Sequence, residues 1–323
     1  MSMPVSVNLD HITESISLDE CYELLIESKF DPADEESFLA VAPLLKKLNN
    51  NKTFLAETLI DELAGTSKRA GQHNQYTPQV LLLKAPNSAT NFFIRANIWL
   101  AKDDPMLQLA GEKSFFYHVP HDHNFNFLTA GYLGSGYESD YYEYDFYNVE
   151  GYPGEPVDLR FIERKKLQPE QIMLYRAHKD VHKQLPADEL SVSLNIMPSD
   201  MFAHLKPQYV FNAQCTKIER PTATSNSSTE PAMHFIARCG GEAGQQFLEN
   251  MARNSIIEED RVRAVKAMTA MHDSPEGKLA TLQEYGFSSG SNLVRSMAYE
   301  HARSLALLWS KTRINNIELV IAP

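Results

Sequence analysis

Two histidines one residue apart, His121 and His123, stand in the run FFYHVPHDHNFNFLTAGYLG, and a second aromatic run ending at Tyr147 follows directly. On a strand, alternate side chains share a face, so both imidazoles point the same way. Two neutral imidazoles converging from one strand are the start of a transition-metal site. His118 lies before the Pro120 break and falls outside that pair. A metal held this way needs a sheet around it, and the flanking sequence supplies strand patterns.

TNFFIRANIWL alternates cleanly, with Phe92, Ile94, Ala96 and Ile98 on one face and Phe93, Arg95, Asn97 and Trp99 on the other. Arg95 on the mixed face is a candidate for binding a substrate carboxylate, because its fork matches a carboxylate bidentately. The equally ordinary reading is a surface arginine on an edge strand. DDPMLQLAGE reads as a short helix or turn. Gly131, Gly134 and Gly136 permit a tight or bulged turn, and YESDYYEYDFYNVEGY then closes a hairpin. EPVDLRFIERKKL is another strand. LQPEQIMLYRAHKDVHKQL runs through a strand to a polar turn, and LSVSLNIMP returns. Short strands with polar turns point to a double-sheet barrel.

Three amphipathic helices precede the strands. LDECYELLIESKF, DPADEESFLAVAPLLKKLNN and KTFLAETLIDELAG carry apolar residues at helical spacing, with Pro43 a break or kink in the second and Gly65 the end of the third. Their acidic residues read as a solvated face rather than a docking surface. After a Ser/Thr/Pro-rich stretch, PTATSNSSTEP, a further set of helical patterns runs to the C-terminal part, where NNIELVIAP has strand character. Val262, Val265, Met268 and Met271 recur at helical intervals, as do Leu293, Met297, His301 and Leu305. His272 and His301 are helix-face histidines without an i,i+4 partner, and read as structural. The chain thus divides into a helical segment over 1–85, a β-barrel segment over 86–220 and a helical segment over 221–323. The helical segments offer a surface for a homodimer.

Net charge narrows the partners. Forty-two acidic against 30 basic residues give −12, with no basic run, which argues against nucleic acid and against an anionic membrane surface. Cys21, Cys215 and Cys239 are isolated, with no CxxC spacing, and suit a reducing cytoplasm. The polar, acidic N-terminal residues lack a secretory pattern. The expected setting is soluble and cytoplasmic.

HDH, followed about sixty residues later by KDVHKQLPADELSVSLNI, resembles the two motifs of the cupin superfamily. The resemblance covers roughly residues 90 to 200. It implies an α+β protein with a central double-stranded β-helix barrel flanked by N-terminal and C-terminal helices. His121 and His123 match the HxH pair and His182 the second-motif histidine, with His178 as the alternate. The slot where cupins carry an acidic residue after HxH holds Phe125, Asn126, Phe127 and Leu128, which leaves three histidines. Such a site is similar to that of cysteine dioxygenase and related oxygenases. Asn195 stands near the place of that family's catalytic histidine, which speaks against a thiol substrate.

What the resemblance implies is a mononuclear non-haem iron oxygenase. Three imidazoles leave Fe(II), or another divalent metal, its full charge and up to three open positions for an anionic substrate and O2. The substrate is a small carboxylate-bearing molecule such as an amino acid, held by Arg95, Arg160, Arg164 or Arg176. Tyr142 or Tyr144 is the candidate proton donor, and Asp122, Asp180 and Glu143 are candidate partners for the outer imidazole nitrogens. Two alternatives stay open. One is a non-catalytic cupin that binds a metal or small ligand and carries a helical protein-interaction wing. The other is a 2-oxoglutarate-dependent oxygenase built on His178 and Asp180, with His234 and Arg238 downstream.

Overall fold

The structure is a computed structural model that describes residues 4–64, 79–87, 90–200, 203, 206–222 and 229–311. It contains two compact units, residues 1–146 with 157–216 and residues 147–156 with 217–323. Among the described residues no helix is long and apolar enough to cross a membrane.

The first unit begins with β1 (Val5–Val7) and three helices, α1 (Leu18–Glu27), α2 (Glu35–Asn50) and α3 (Phe54–Leu63). Ser17 caps α1 by accepting the Glu20 amide, and Asp34 caps α2 by accepting those of Glu36 and Ser37. α2 is continuous through Pro43, where the sequence predicts a break or a kink. The missing amide costs one ladder bond. Burial of Phe38, Val41, Leu45 and Leu48, each worth about 1.5–3 kcal/mol, outweighs it. α3 ends at Leu63 with Ala64 as its C-cap; Gly65 lies outside the described residues.

These helices cover one face of a six-stranded antiparallel sheet. Its order is β1, β7 (Ile172–Tyr175), β4 (Phe127–Leu133), β9 (Ser191–Pro198), β3 (Phe92–Trp99) and β2 (Val80–Lys84). Phe92, Ile94 and Ala96 of β3 meet Leu128 and Ala130 of β4, Leu194 and Ile196 of β9, and the helix side chains in one core. The other face carries Trp99, Phe127, Met173, Tyr175 and Met197 into a second core with Tyr117, Tyr137 and Tyr141. Opposite it lies a three-stranded antiparallel sheet in the order β6 (Arg160–Lys166), β5 (Glu138–Glu143), β8 (Asp180–Gln184). α4 (Pro105–Ala110) lies between β3 and β4 in sequence, and β10 (Tyr209–Phe211) follows β9.

The hairpin expected around the glycines is absent. β4 belongs to the six-stranded sheet and β5 to the three-stranded one, so the chain changes sheets there. Gly134 and Gly136 make the crossing in left-handed conformations, φ 80° and 76°. A Cβ on Gly136 would also strike the Leu167 carbonyl. The register of β4 against β9 shifts between Gly131 and Leu133, a bulge beside the turn. β8 and β9 likewise lie in different sheets. No strand pairing joins the two sheets among the described residues, so the barrel is not closed.

The second unit holds β11 (Ile218–Pro221) and the helices α5 (Thr229–Cys239), α6 (Gly241–Asn254), α7 (Glu258–Thr269), α8 (Pro275–Thr281) and α9 (Asn292–Lys311). Met233, Leu248, Val262, Val265, Met268, Leu293 and Leu305 share its core. α8 runs on into a π-helical turn, Leu282–Phe287, where Gly286 lets the backbone approach Ala298 of α9. Most of the Ser/Thr/Pro-rich stretch and all of 315–323 lie outside the described residues.

Candidate metal centre

The segment Val119–His123 is extended and threaded between β8 and β10. His121 and His182 exchange both backbone hydrogen bonds at 3.0 Å, the Asp122 amide donates to the Tyr209 carbonyl at 3.2 Å, and the Phe211 amide donates to the Pro120 carbonyl at 2.9 Å. Period-two alternation then sends His121 and His123 one way and Asp122 the other. Asp122 is fully buried on that opposite side. Its carboxylate accepts the Tyr209 amide at 2.6 Å and the Tyr144 hydroxyl at 2.7 Å. Through these bonds Asp122 sets the orientation of the segment that carries both histidines.

β8 brings His182 to the same place. Its Nε2 lies 3.1 Å from the Nε2 of His123 and 3.1 Å from that of His121. The ligand atoms of the three residues all fall within 4.8 Å of one another. His121 and His182 are buried and His123 nearly so. Burial pushes the pKa values of His123 and His182 well below the ordinary histidine value, helped by the neighbouring imidazoles and, at His123, by Arg95. These rings are neutral at physiological pH, the form that ligates metals.

The donor set fits a divalent cation. His121 Nδ1 stands 2.8 Å from the Val119 carbonyl, which places the proton on Nδ1 and a lone pair on Nε2. His182 Nε2 faces two other Nε2 atoms at once, and a single proton cannot satisfy both contacts. One cation between the three lone pairs satisfies all of them. The outer nitrogens are less complete. His123 Nδ1 and His182 Nδ1 are buried and find no hydrogen-bond partner among the described residues.

Aromatic rings enclose the group. Phe125 and Phe127 lie 5.0 and 4.9 Å from the His123 ring, and Phe116 lies 5.4 Å from His121. Tyr175 lies 4.9 Å from His182 and stacks on Phe127 at 4.6 Å. The Tyr175 hydroxyl is hydrogen-bonded to that of Tyr141 at 2.7 Å, and burial raises both hydroxyl pKa values, that of Tyr141 to about 12.

The sequence candidates divide by position. Arg95 of β3 lies within electrostatic reach of His123 and Tyr137. Arg160 pairs with Glu143 at the exposed side of β6, and Arg164 binds Asp140 at 2.6 Å. Arg176 is closed on Asp180 by two side-chain bonds, 2.9 and 3.1 Å, and by its own amide at 2.8 Å. Burial lifts the Asp180 carboxyl to about 6 against the pull of Arg176. Tyr142 pairs with Val181 and packs on Phe161, on the face of β5 opposite to Tyr141, which pairs with His182. Tyr144 serves Asp122.

His178 is not brought into the group. It adopts φ 58°, its amide donates to the His123 carbonyl at 2.7 Å, and its ring stacks on Phe146 at 3.9 Å, with Nδ1 3.9 Å from Asp122. His118 is exposed near Glu112. His234 and His301 belong to the second unit, where burial lowers the pKa of His301. Asn195 is buried and donates to Thr129 at 2.8 Å.

Tyr175 and Gln184 also belong to the group, and no motif in the sequence marks them. Tyr175 ends the run Ile172–Tyr175, buried at every position, which has no alternation to assign a face. Gln184 shares the face of His182 by i,i+2 spacing, a signal present in the sequence.

No family model matches the chain, and no curated protein matches it. Several solved structures align with parts of it. A salicylate 1,2-dioxygenase from Pseudaminobacter salicylatoxidans aligns over 49% of this chain and 37% of its own, at 10% identity and a TM-score of 0.27. A cupin-like protein from Thermotoga maritima aligns over 41% and 74%, at 13% identity and 0.22. A structure of Fe(II)-HppE aligns over 57% and 100%, at 15% identity and 0.20. The chain thus spans little more than a third of the length of that dioxygenase. Scores this low leave the site to be read from the chain's own residues.

Proposed function

We propose that the first unit is a cupin-like metalloenzyme, an Fe(II)-dependent oxygenase whose metal is held by His121, His123 and His182. The observation that carries the reading is the convergence of three imidazole Nε2 atoms, two of them on buried rings, from two separate segments. The donors present are neutral nitrogens, which suit a transition metal better than magnesium or calcium. A bound Fe(II) supplies a redox-active Lewis acid at this point.

The chain's own residues supply the rest. The rings of Phe125, Phe127 and Tyr175 exclude water from the group. Arg95 supplies positive charge beside His123, suited to a small carboxylate-bearing substrate such as an amino acid. Tyr141 and Tyr175 stay protonated, and their coupled hydroxyls hold a proton within one ring of His182. They take the donor role that the sequence offers to Tyr142 and Tyr144.

Anaerobically purified protein, analysed for metal and tested for O2 uptake against a panel of small carboxylates, decides the matter. Iron near one per chain and substrate-triggered O2 uptake are expected. For the active compound, Arg95→Gln is expected to raise KM about 10–100-fold with metal content unchanged, the worth of a charge-assisted hydrogen bond. Zinc alone, or no O2 uptake with any carboxylate, contradicts an oxygenase and favours a non-catalytic metal-binding protein.

A further inference from the structure

Gln184 follows His182 by two residues on β8, so both side chains leave the same face of the strand. It is 4% exposed, and its Nε2 stands 3.1 Å from His182 Nε2. Its Oε1 is also buried and finds no hydrogen-bond partner among the described residues. A buried amide oxygen left this way costs about 1–3 kcal/mol.

The two ends of a carboxamide are nearly equal in size. A half-turn of the terminal torsion therefore exchanges oxygen for nitrogen with little movement of the neighbours. With the N–H end toward His182, the amide donates to the imidazole lone pair. A cation drawn in by the three imidazoles takes that lone pair, and the N–H end loses its acceptor. The turned amide then presents Oε1, a neutral oxygen donor, to the same cation.

We infer that Gln184 is a fourth, reversible donor of this centre: its oxygen faces the cation when metal is bound, and its amide hydrogens cap His182 when it is not. The inference rests on the three-histidine reading of the site. A neutral donor leaves the centre its full positive charge, and an anionic ligand displaces it readily. A carboxylate at this position would cancel part of that charge.

The test is Co(II) titration of the full-length, metal-free protein. It is followed by visible absorption, with affinity set by chelator competition. Gln184→Leu is expected to bind Co(II) about 10–100-fold more weakly, the range for losing even an outer partner of a metal ligand, and to change the visible bands. Gln184→Glu keeps size and shape and is expected to bind more tightly, so the inference stands on a second variant if the leucine protein misfolds. His182→Ala serves as the reference. If His182→Ala loses Co(II) while both Gln184 variants keep wild-type affinity and bands, Gln184 is not a donor and the three-histidine centre survives. If the wild-type protein binds no Co(II), both readings fall.

Discussion

The Nε2 atoms of His123 and His182, 59 residues apart in sequence, stand 3.1 Å from each other inside the first unit. Two lone-pair-bearing nitrogens this close need a proton or a cation between them. His121 meets His182 at the same distance, so the proton serves one contact and leaves the other. A metal ion resolves the conflict, and the consequences are measurable.

Replacing His182 removes one of three donors. His182→Ala is expected to lower metal affinity by more than about 100-fold, beyond what outer partners alone contribute. His178→Ala is expected to leave metal affinity within a few-fold, because its ring stacks on Phe146 away from the group. Isothermal titration of both variants checks this. Equal losses would place His178 among the ligands.

The metal-free protein is expected to lose stability as pH falls below 6.5. His123 and His182 have folded pKa values well below the unfolded one. A depressed folded pKa means that the unfolded chain takes up protons first, so stability is full above 6.5 and declines below it. By pH 6 the two together remove on the order of 1–2 kcal/mol. His301 is lowered by burial too, so the urea midpoints are compared in a His301→Gln background at pH 8, 7 and 6. Asp180, whose carboxyl is raised to about 6, adds a smaller change of opposite sign, so the comparison is repeated in an Asp180→Asn background, where a midpoint unchanged over that range would mean that neither imidazole is buried neutral.

Arg176 and Asp180 form a buried ion pair, and breaking it from one side is costly. Arg176→Met leaves a buried, unpaired carboxylate and is expected to cost about 3–5 kcal/mol. The double change Arg176→Met with Asp180→Leu is expected to recover much of that loss. Thermal melts of the two proteins decide it. A single variant that is stable but fails to bind substrate would show a ligand-binding arginine instead.

The Tyr141–Tyr175 contact joins the two sheets beside His182. Tyr141→Phe removes the 2.7 Å partner of the buried Tyr175 hydroxyl and is expected to cost about 1–3 kcal/mol. The double phenylalanine variant is expected to cost less than the sum of the single ones. Strict additivity in urea unfolding would show that the hydroxyls are uncoupled.

Much of this is legible in the sequence, where local rules decide. Strand periodicity is enough to place His121 and His123 together and to separate Phe92, Ile94 and Ala96 from Phe93 and Trp99, while Ile98, expected with the first set, packs with the core of Trp99. Arg176 reads in the sequence as a substrate-binding arginine, and only the turn between β7 and β8 closes it on Asp180. What escapes is choice of sheet. Alternation in Glu138–Glu143 marks a strand but not its partner, so a hairpin is expected where the chain crosses from one sheet to the other. His182 is the expected third ligand and His178 its alternate, four residues apart in sequence. They part company only through the left-handed turn at His178 and its bond to the His123 carbonyl. Tyr142 and Tyr141 are neighbours in sequence, and strand register alone turns Tyr141 toward His182.

Anomalous scattering at the iron edge, from crystals of protein purified and reconstituted with Fe(II) under anaerobic conditions, addresses the metal and its ligands together. The three-histidine assignment requires one peak bounded by the Nε2 atoms of His121, His123 and His182. A peak beside His178 and Asp180, or no peak at the three imidazoles, would contradict it.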